Sequence, residues 1–492
     1  MTTLTLSDPG LFRQSAFIAG EWRQAAGMAM LEVDNPADGS ILGSVPACDA
    51  ADTEAAIKAA HAAWPAWRAL TAGARADLLE RWHALILAHT DDLARIMTAE
   101  QGKPLAEAAG EIRYAASFVK WFAAEGRRVY GGGVPAPEAD RRILTWKEPV
   151  GVSAIITPWN FPAAMITRKC APALAAGCPV VIKPSDLTPY SALALAVLAE
   201  RAGIPAGVFN VVTGPPTGIG AALTRSPLVR KLSFTGSTRV GSLLMAQSAD
   251  SVKRLSLELG GNAPLIVFDD ADLDVAVAAT MASKFRNAGQ TCVCANRILV
   301  QDGVYEKFAD KLAAAVTALR VGRGDVAGAT IGPLINDAAV AKVQSHIDDA
   351  LSKGAKILAR ADDNGLAGRF AAPTILTGMT PSMRVAAEET FGPVAPLFRF
   401  KDEREALSIA NDTPFGLAAY FYTENLHRAF RAAEGLEAGM VALNTGSIAM
   451  EMAPFGGIKQ SGLGREGGPT GIEEYLETKA FHIGGLKLHE AG

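Results

Sequence analysis

Residues 152–212 read VSAIITPWNFPAAMITRKCAPALAAGCPVVIKPSDLTPYSALALAVLAERAGIPAGVFNVV. Short apolar runs suited to buried strands stand at 152–156 (VSAII), 180–182 (VVI) and 208–212 (VFNVV), and a fourth follows at 231–234 (KLSF). Helix-like segments separate them. The one beginning near Pro189 shows both ends: Thr188 is a candidate N-cap, Pro189 suits the first helical position, and Gly203 can close the far end. Strands alternating with helices predict a parallel sheet covered on both faces, in the doubly wound manner.

The same alternation resumes after Gly260-Gly261, with an apolar run at 264–268 (PLIVF), a helix across 272–287, a strand at 297–301 and helices around 304–319 and 337–353. This predicts a second α/β domain. Upstream, the first forty-odd residues suit small strands and turns. The stretch from Ala51 to about Gly126 is helical in pattern, broken at Trp64-Pro65, Thr71-Ala72-Gly73 and 101–104 (QGKP). Gly131-Gly132-Gly133, with Pro135 and Pro137, is the best local breaker and the first candidate boundary. The stretch 140–148 (DRRILTWKE) alternates as an exposed or edge strand would, and 455–468 (FGGIKQSGLGREGG) reads as a shaped loop over a site.

The chain has 492 residues, 49% of them apolar, which is ample for large cores without disulfides or a structural metal. With 47 basic and 51 acidic side chains the net charge is −4, which argues against nucleic acid or an anionic membrane as the main partner. Five cysteines (Cys48, Cys170, Cys178, Cys292, Cys294) form no Cys-x-x-Cys pair, so neither a disulfide framework nor a zinc ribbon is expected, and no metal site. No secretory signal and no run of 18 apolar residues is present, so the expectation is a cytoplasmic protein without a membrane helix.

Three residues could carry chemistry. Cys292 lies in Asn287-Ala-Gly-Gln-Thr-Cys-Val-Cys294, a turn of small and polar residues. A lone cysteine is usually a small buried hydrophobe, but here the turn's N–H groups could stabilise a thiolate and later an oxyanion. Glu258, in 255–261 (LSLELGG), either points to solvent from an edge strand or is buried, and then its raised pKa suits a general base. Asn160, in 157–162 (TPWNFP), is good turn chemistry, or an amide donor at a strand's carboxyl end. Two glycine-bearing segments, 214–220 (GPPTGIG) and 234–241 (FTGSTRVG), could present helix N-termini to phosphate, although neither is the usual dinucleotide fingerprint. Lys183, Ser185 and Asp186 follow a strand, where an acid commonly meets ribose hydroxyls; the plain alternative is a solvated loop.

Taken in order, TPWNFP (157–162), KPSD (183–186), FTGST (234–238), LELGG (257–261), GQTC (289–292), EETFGP (388–393) and PFGG (454–457) resemble the NAD(P)-dependent aldehyde dehydrogenase superfamily over nearly the whole chain. Within it, 165–169 (MITRK), 283–294 (SKFRNAGQTCVC) and 462–467 (GLGREG) are similar to the succinate-semialdehyde dehydrogenases. The resemblance implies an α/β fold of two doubly wound domains and a small oligomerisation arm. The cofactor domain would be 1–127 and 148–257, the catalytic domain 258–454, and the arm 128–147 with the tail 455–492. A homodimer or homotetramer is implied as well.

The implied roles follow residue by residue. Cys292 is the nucleophile, Glu258 the base for the thiol or the hydrolytic water, and Asn160 with the Cys292 N–H the oxyanion site. Lys183 binds the adenosine ribose with Ser185 and Asp186 nearby, Gly236 and Ser237 meet the pyrophosphate, and Glu389 and Phe391 hold the nicotinamide end. Thr157, Pro158, Trp159, Gly214 and Leu259 complete the cofactor set. Retention of Glu258 favours hydrolysis over transfer to coenzyme A.

Arg168 and Arg286 match the pair that grips a distal carboxylate, which makes a short anionic semialdehyde the implied substrate. The subfamily's serine before PFGG is absent: Ala449 and Met450 stand there, with Ser447 nearby. Succinate semialdehyde is therefore joined by glutarate semialdehyde or a small sulfonate- or hydroxy-bearing aldehyde as alternatives. Cys294 matches a redox partner of the nucleophile. Asp186, shorter than the family's ribose-binding glutamate but still anionic, favours NAD, with NADP as the alternative. A non-catalytic binding protein on this scaffold, or a thiol esterase using Cys292, are the rival classes.

Overall fold

The computed structural model describes residues 4–363 and 365–487. The first three residues of the expected cofactor domain and the last five of the expected tail lie outside the described residues.

The opening stretch folds into the centre of an eight-stranded sheet. Five strands run parallel in the spatial order Phe209–Val211, Val180–Lys183, Val152–Ile156, Val229–Thr235, Arg254–Glu258. Their order reverses between Val152–Ile156 and Val229–Thr235, and a crevice opens at the carboxyl ends of those two strands, where doubly wound sheets take ligands. Antiparallel Ala16–Ile18 and Glu21–Arg23 extend one edge. Gly462–Leu463 closes the other edge by pairing with Leu257 and Glu258, so this part of the tail packs with the first sheet. A second sheet of seven strands runs Lys356–Arg360, Thr374–Thr377, Val394–Phe400, Ala295–Gln301, Ala263–Val267, Ala418–Tyr422, Met440–Leu443, and only its first pair is antiparallel. The chain crosses from one sheet to the other between Glu258 and Ala263.

One helix start differs from the local reading, and a second helix shows the same physical reason. Helix Pro189–Arg201 begins after Thr188, but the threonine side chain makes no cap. Its first N–H groups, Tyr190 at 2.7 Å and Ser191 at 2.8 Å, donate instead to the buried Glu100 carboxylate. Helix Ala164–Ala176 likewise lacks a cap of its own, and Ala163 and Ala164 donate to Glu111 at 3.0 and 3.2 Å. A carboxylate is a stronger acceptor than a hydroxyl and favours the positive end of a helix dipole. Gly203 does follow the far end of the first helix in the left-handed conformation.

The three-stranded antiparallel sheet of Gly132–Val134, Arg142–Pro149 and Leu476–Ile483 stands apart from the two large sheets. Gly132 and Gly133 extend as an outer strand rather than breaking the chain, and Arg142–Pro149 is the central strand, not an edge. Val134, Leu144, Trp146 and Phe481 are exposed on it, and Trp146 meets Phe481 at 5.7 Å between ring centroids.

Candidate active site

The crossing between sheets brings three loops together. Asn160 lies in the loop after strand Val152–Ile156, Glu258 ends strand Arg254–Glu258, and Cys292 precedes strand Ala295–Gln301.

The turn before Cys292 is left-handed over three residues: Asn287 (φ 51°), Ala288 (φ 54°) and Gly289 (φ 74°). Only glycine takes this region without penalty, so the other two are held by their surroundings. Asn287 N–H donates to Glu107 at 2.9 Å, Gln101 Nε2 donates to Asn287 Oδ1 at 3.0 Å, and Gln290 Nε2 donates to the Asn287 carbonyl at 3.1 Å. Asn287 Nδ2 donates at 3.0 Å to the Asn160 carbonyl, and Asn160 Nδ2 donates at 3.0 Å to the Gln290 carbonyl. The Asn160 amide and the turn before Cys292 are thereby joined by two reciprocal hydrogen bonds. Lys103, buried and paired with Glu111, is a second donor to the Asn160 carbonyl, at 2.8 Å.

Cys292 is half-buried, and burial pushes its thiol up to about 12, with Arg168 pulling down and Glu389 and Glu258 adding to the rise. The thiol is therefore neutral at rest and needs a base. Among the described residues its own N–H donates to no protein acceptor. Glu258 is buried, and neither carboxylate oxygen has a hydrogen-bond partner among the described residues. Burial and the nearby Glu466 raise its pKa well above the usual range, against Arg168, Lys169 and Arg465. A raised pKa makes the carboxylate a stronger proton acceptor, as a base for a neutral thiol must be. Glu466 lies buried against Lys169 and Arg168, and those two cations hold its own carboxyl down.

A cleft of about 360 Å³ opens beside the thiol. Its walls carry Pro158, Trp159, Asn160, Gly236, Ser237, Leu259, Cys292, Glu389 and Phe391, nine of the residues singled out from the sequence, together with Thr235 and Lys342. Ser237 caps helix Thr238–Ser248, accepting from Val240 N–H at 3.4 Å, so that helix's N-terminus faces the cleft. Phe391 is held in the left-handed region (φ 56°), edge-on to Trp159 at 5.6 Å. Glu389 accepts from Gly261 N–H at 3.2 Å, and burial lifts its carboxyl to about 7. The Thr157 and Thr235 hydroxyls are buried without protein partners. Thr157 N–H donates at 3.1 Å to the carbonyl of Lys183, whose ammonium is paired with Asp186; Ser185 accepts from Leu187 N–H at 3.3 Å. Gly214 is a departure. It does not line the cleft, and its positive φ of 135° brings it against the Cys48 backbone, where a Cβ would lie 2.5 Å from an oxygen. Its glycine answers to packing.

Arg286 and Ser447 line one small cavity with Ala449 and Tyr420. Arg286 is exposed, stacks over Phe161 at 5.0 Å and has no ion-pair partner among the described residues. Arg168 is buried, with Nε 2.5 Å from Glu466, and stacks over Phe455 at 4.1 Å. Cys294 is buried, receives a hydrogen bond from Lys284 Nζ at 3.3 Å, and all described cysteines are free thiols. No group of metal-ligating side chains is found among the described residues.

Local reading missed Lys103, Glu111, Gln290, Lys169 and Glu466. Lys103 lay in QGKP, read as a helix break, and Glu466 in the glycine-rich loop; each had a visible position but no visible partner.

Residues 22–481 match the aldehyde dehydrogenase family. The chain is 61% identical over 481 residues to a succinate-semialdehyde dehydrogenase [NADP(+)] of Escherichia coli, covering 98% of this chain and 100% of that one. It is 60% identical to a 3-sulfolactaldehyde dehydrogenase of Pseudomonas putida (98% and 99% covered) and 60% identical to a glutarate-semialdehyde dehydrogenase of Pseudomonas aeruginosa (98% and 100%). Among solved structures, an NADP-dependent enzyme of E. coli superposes with a TM-score of 0.97 at 61% identity, covering 98% of this chain and 100% of that one.

Proposed function

The chain belongs to the aldehyde dehydrogenase family, and from that premise we propose that it oxidises short acid-bearing aldehydes, succinate semialdehyde first, to carboxylic acids with a nicotinamide dinucleotide as oxidant. The observation that carries the acid-bearing class is Arg286, a guanidinium without an ion-pair partner among the described residues, near a half-buried thiol and a buried base and amide. Three relatives at 60–61% identity are named for aldehydes bearing a carboxylate or sulfonate, which supports the same class.

In this reading Cys292 loses its proton to Glu258 and its sulfur bonds the aldehyde carbon. The carbonyl oxygen gains the charge, and the Cys292 N–H and Asn160 Nδ2 receive it, the latter turning from the Gln290 carbonyl. Each such donor contributes about 3 kcal/mol in the transition state. When bound, the dinucleotide accepts the hydride that converts the thiohemiacetal to a thioester. Glu258 gives up the thiol's proton to solvent and, as a carboxylate again, takes a second proton from water as the water oxygen attacks the thioester carbon and sulfur leaves as thiolate.

The cleft fits the dinucleotide: a helix N-terminus at Ser237, a hydroxyl at Thr235 with no partner among the described residues, and an acidic acceptor at Glu389 lie along it. Trp159, Pro158, Leu259, Gly236 and Phe391 would supply its walls, and Lys183, Ser185 and Asp186 the ribose end. The negative charge of Asp186 favours NAD only while it stands free, and here it is paired with Lys183. That pairing, with the NADP(+) in the name of the E. coli relative, supports use of NADP.

Glutarate semialdehyde is a second reading, favoured by Ala449, whose small side chain leaves room for one more methylene. Cys294 is proposed as a reversible oxidation partner of Cys292; peroxide inactivation that dithiothreitol reverses should be lost in Cys294→Ala. We further assign the cofactor domain to 1–127 and 148–257, the catalytic domain to 258–454, and a dimer or tetramer contact to the exposed apolar side chains of the three-stranded sheet. No helix among the described residues is long and apolar enough to cross a membrane, and a cytoplasmic location is proposed.

The deciding experiment follows reduced cofactor by absorbance with a panel of acid-bearing and neutral aldehydes, using NAD and NADP in turn. Reduction confined to acid-bearing aldehydes is the expected result. No reduction with any of them overturns the proposal, and a kcat/KM much greater with NAD overturns the cofactor reading.

A further inference from the structure

The geometry points to Asn296 as a positioning residue for the cofactor: its side-chain amide fixes the peptide groups on both sides of Glu389 and refers that carboxyl to the strand that follows Cys292. This rests on the reading of Glu389 as a holder of the dinucleotide, and it names the residue through which nucleophile and cofactor end share one frame.

Residues 388–393 belong to no helix or strand, lying between helix Arg384–Ala387 and strand Val394–Phe400. Buried backbone groups in such a loop need partners from elsewhere. Asn296, buried in strand Ala295–Gln301, supplies two of them. Its Nδ2 donates at 3.0 Å to the Glu388 carbonyl, and its Oδ1 accepts at 3.2 Å from Thr390 N–H. The two bonds bracket Glu389, so one amide sets the direction in which that side chain leaves the loop. The Asn296 Nδ2 also donates to Asn262 Oδ1 at 2.7 Å, so both donors of the amide are used.

Asn262 closes the circuit. It ends the crossing between the two sheets, and its Nδ2 donates to the Ala386 carbonyl at 3.0 Å. Its own carbonyl accepts from Arg297 Nε and Nη2, each at 3.1 Å. One residue earlier, Gly261 N–H donates to Glu389 Oε1 at 3.2 Å. The carboxyl is thus fixed at its head by the crossing and at its root by Asn296, which is itself joined to the crossing. Close packing enforces the same placement: a Cβ on Gly260 would lie 3.3 Å from Glu389 Oε2, and one on Gly289, in the turn before Cys292, would collide with the Gly392 carbonyl. From helix Asp337–Ser352, His346 meets Thr390 Oγ1 at 3.1 Å and Glu388 Oε2 at 3.2 Å, so it steadies side chains of the loop rather than the peptides around Glu389. Asn296 stands four positions after Cys292, which makes strand Ala295–Gln301 a common reference for thiol and carboxyl.

Asn296→Ala removes both grips and keeps Glu389 itself. At saturating aldehyde, kcat/KM for NADP (or for NAD, if that is the better oxidant) should fall about tenfold, the worth of one hydrogen bond to a carboxylate. The KM for succinate semialdehyde should stay within about twofold. In a Glu389→Gln background the same change should cost less than about twofold, because a residue acting through Glu389 has nothing left to position. Losses that multiply in the double variant, equal shifts for cofactor and aldehyde, or no shift in either would overturn the inference. Asn296→Asp has the native shape, keeps the acceptor for Thr390 and loses the Nδ2 donor. It takes the place of the alanine variant should that one not fold, with the same split between cofactor and aldehyde expected. If Glu389→Gln alone leaves kcat/KM for the dinucleotide unchanged, the reading of Glu389 as cofactor holder falls and takes the inference with it. If Glu389→Gln lowers it and Asn296→Ala does not, only the role of Asn296 falls.

Discussion

The buried ammonium of Lys103 donates at 2.8 Å to the backbone carbonyl of Asn160, fifty-seven residues further along the chain. The peptide that presents the Asn160 amide is thus anchored by a charge that Glu111 neutralises. Lys103→Met leaves Glu111 buried without its cation, which should cost about 3–5 kcal/mol of stability. It should also lower kcat more than it raises KM. Thermal unfolding and steady-state kinetics check both; an unchanged melting temperature with unchanged kcat would show that the anchor is idle.

The thiol's high pKa predicts slow chemistry in the free enzyme. With a value of about 12, the thiolate fraction rises about tenfold per pH unit through the neutral and alkaline range. Inactivation by iodoacetamide should therefore accelerate about tenfold per unit between about pH 7 and 10. A plateau below pH 9 would mean that the resting thiol is already ionised by a neighbour.

Glu258 has two tasks in the proposed cycle, and its replacement by Gln should separate them. A rapid burst of reduced cofactor followed by a steady rate lower by about 10²–10⁴ is expected if water activation is the heavier task. Stopped-flow absorbance reads it directly. Loss of the burst itself would move the main task to thiol activation.

Glu389 is lifted by burial to about 7, so it passes from neutral to anionic within the physiological range. The anion accepts a ribose hydroxyl more strongly than the neutral acid does. The KM for cofactor should fall as pH rises from about 6 to 8, and Glu389→Gln should flatten that dependence. A KM that rises with pH in the unaltered enzyme contradicts this sign.

The strands of the first sheet were legible because both faces are buried, so Val152–Ile156 and Val180–Lys183 appear as unbroken apolar runs. Cys292 and Asn160 were legible because their motifs sit at strand ends. The supports of the site were not. Lys103 to Asn160, Gln101 to Asn287 and Lys169 to Glu466 join residues 57, 186 and 297 positions apart, and no local periodicity encodes such a pair. The start of helix Pro189–Arg201 misled for the same reason: Glu100 is supplied by another helix, and Thr188 only looks like the cap.

Only four residues, 259–262, separate the last parallel strand of one sheet from the first strand of the next. The acid that ends the first sheet and the thiol that precedes a strand of the second are therefore aligned by the seating of two bodies, each with its own core. A small slip between them would part Glu258 from Cys292 while leaving every strand intact. In mild urea, catalysis should fail before circular dichroism records any loss of secondary structure, so that activity becomes a more sensitive gauge of domain seating than spectroscopy.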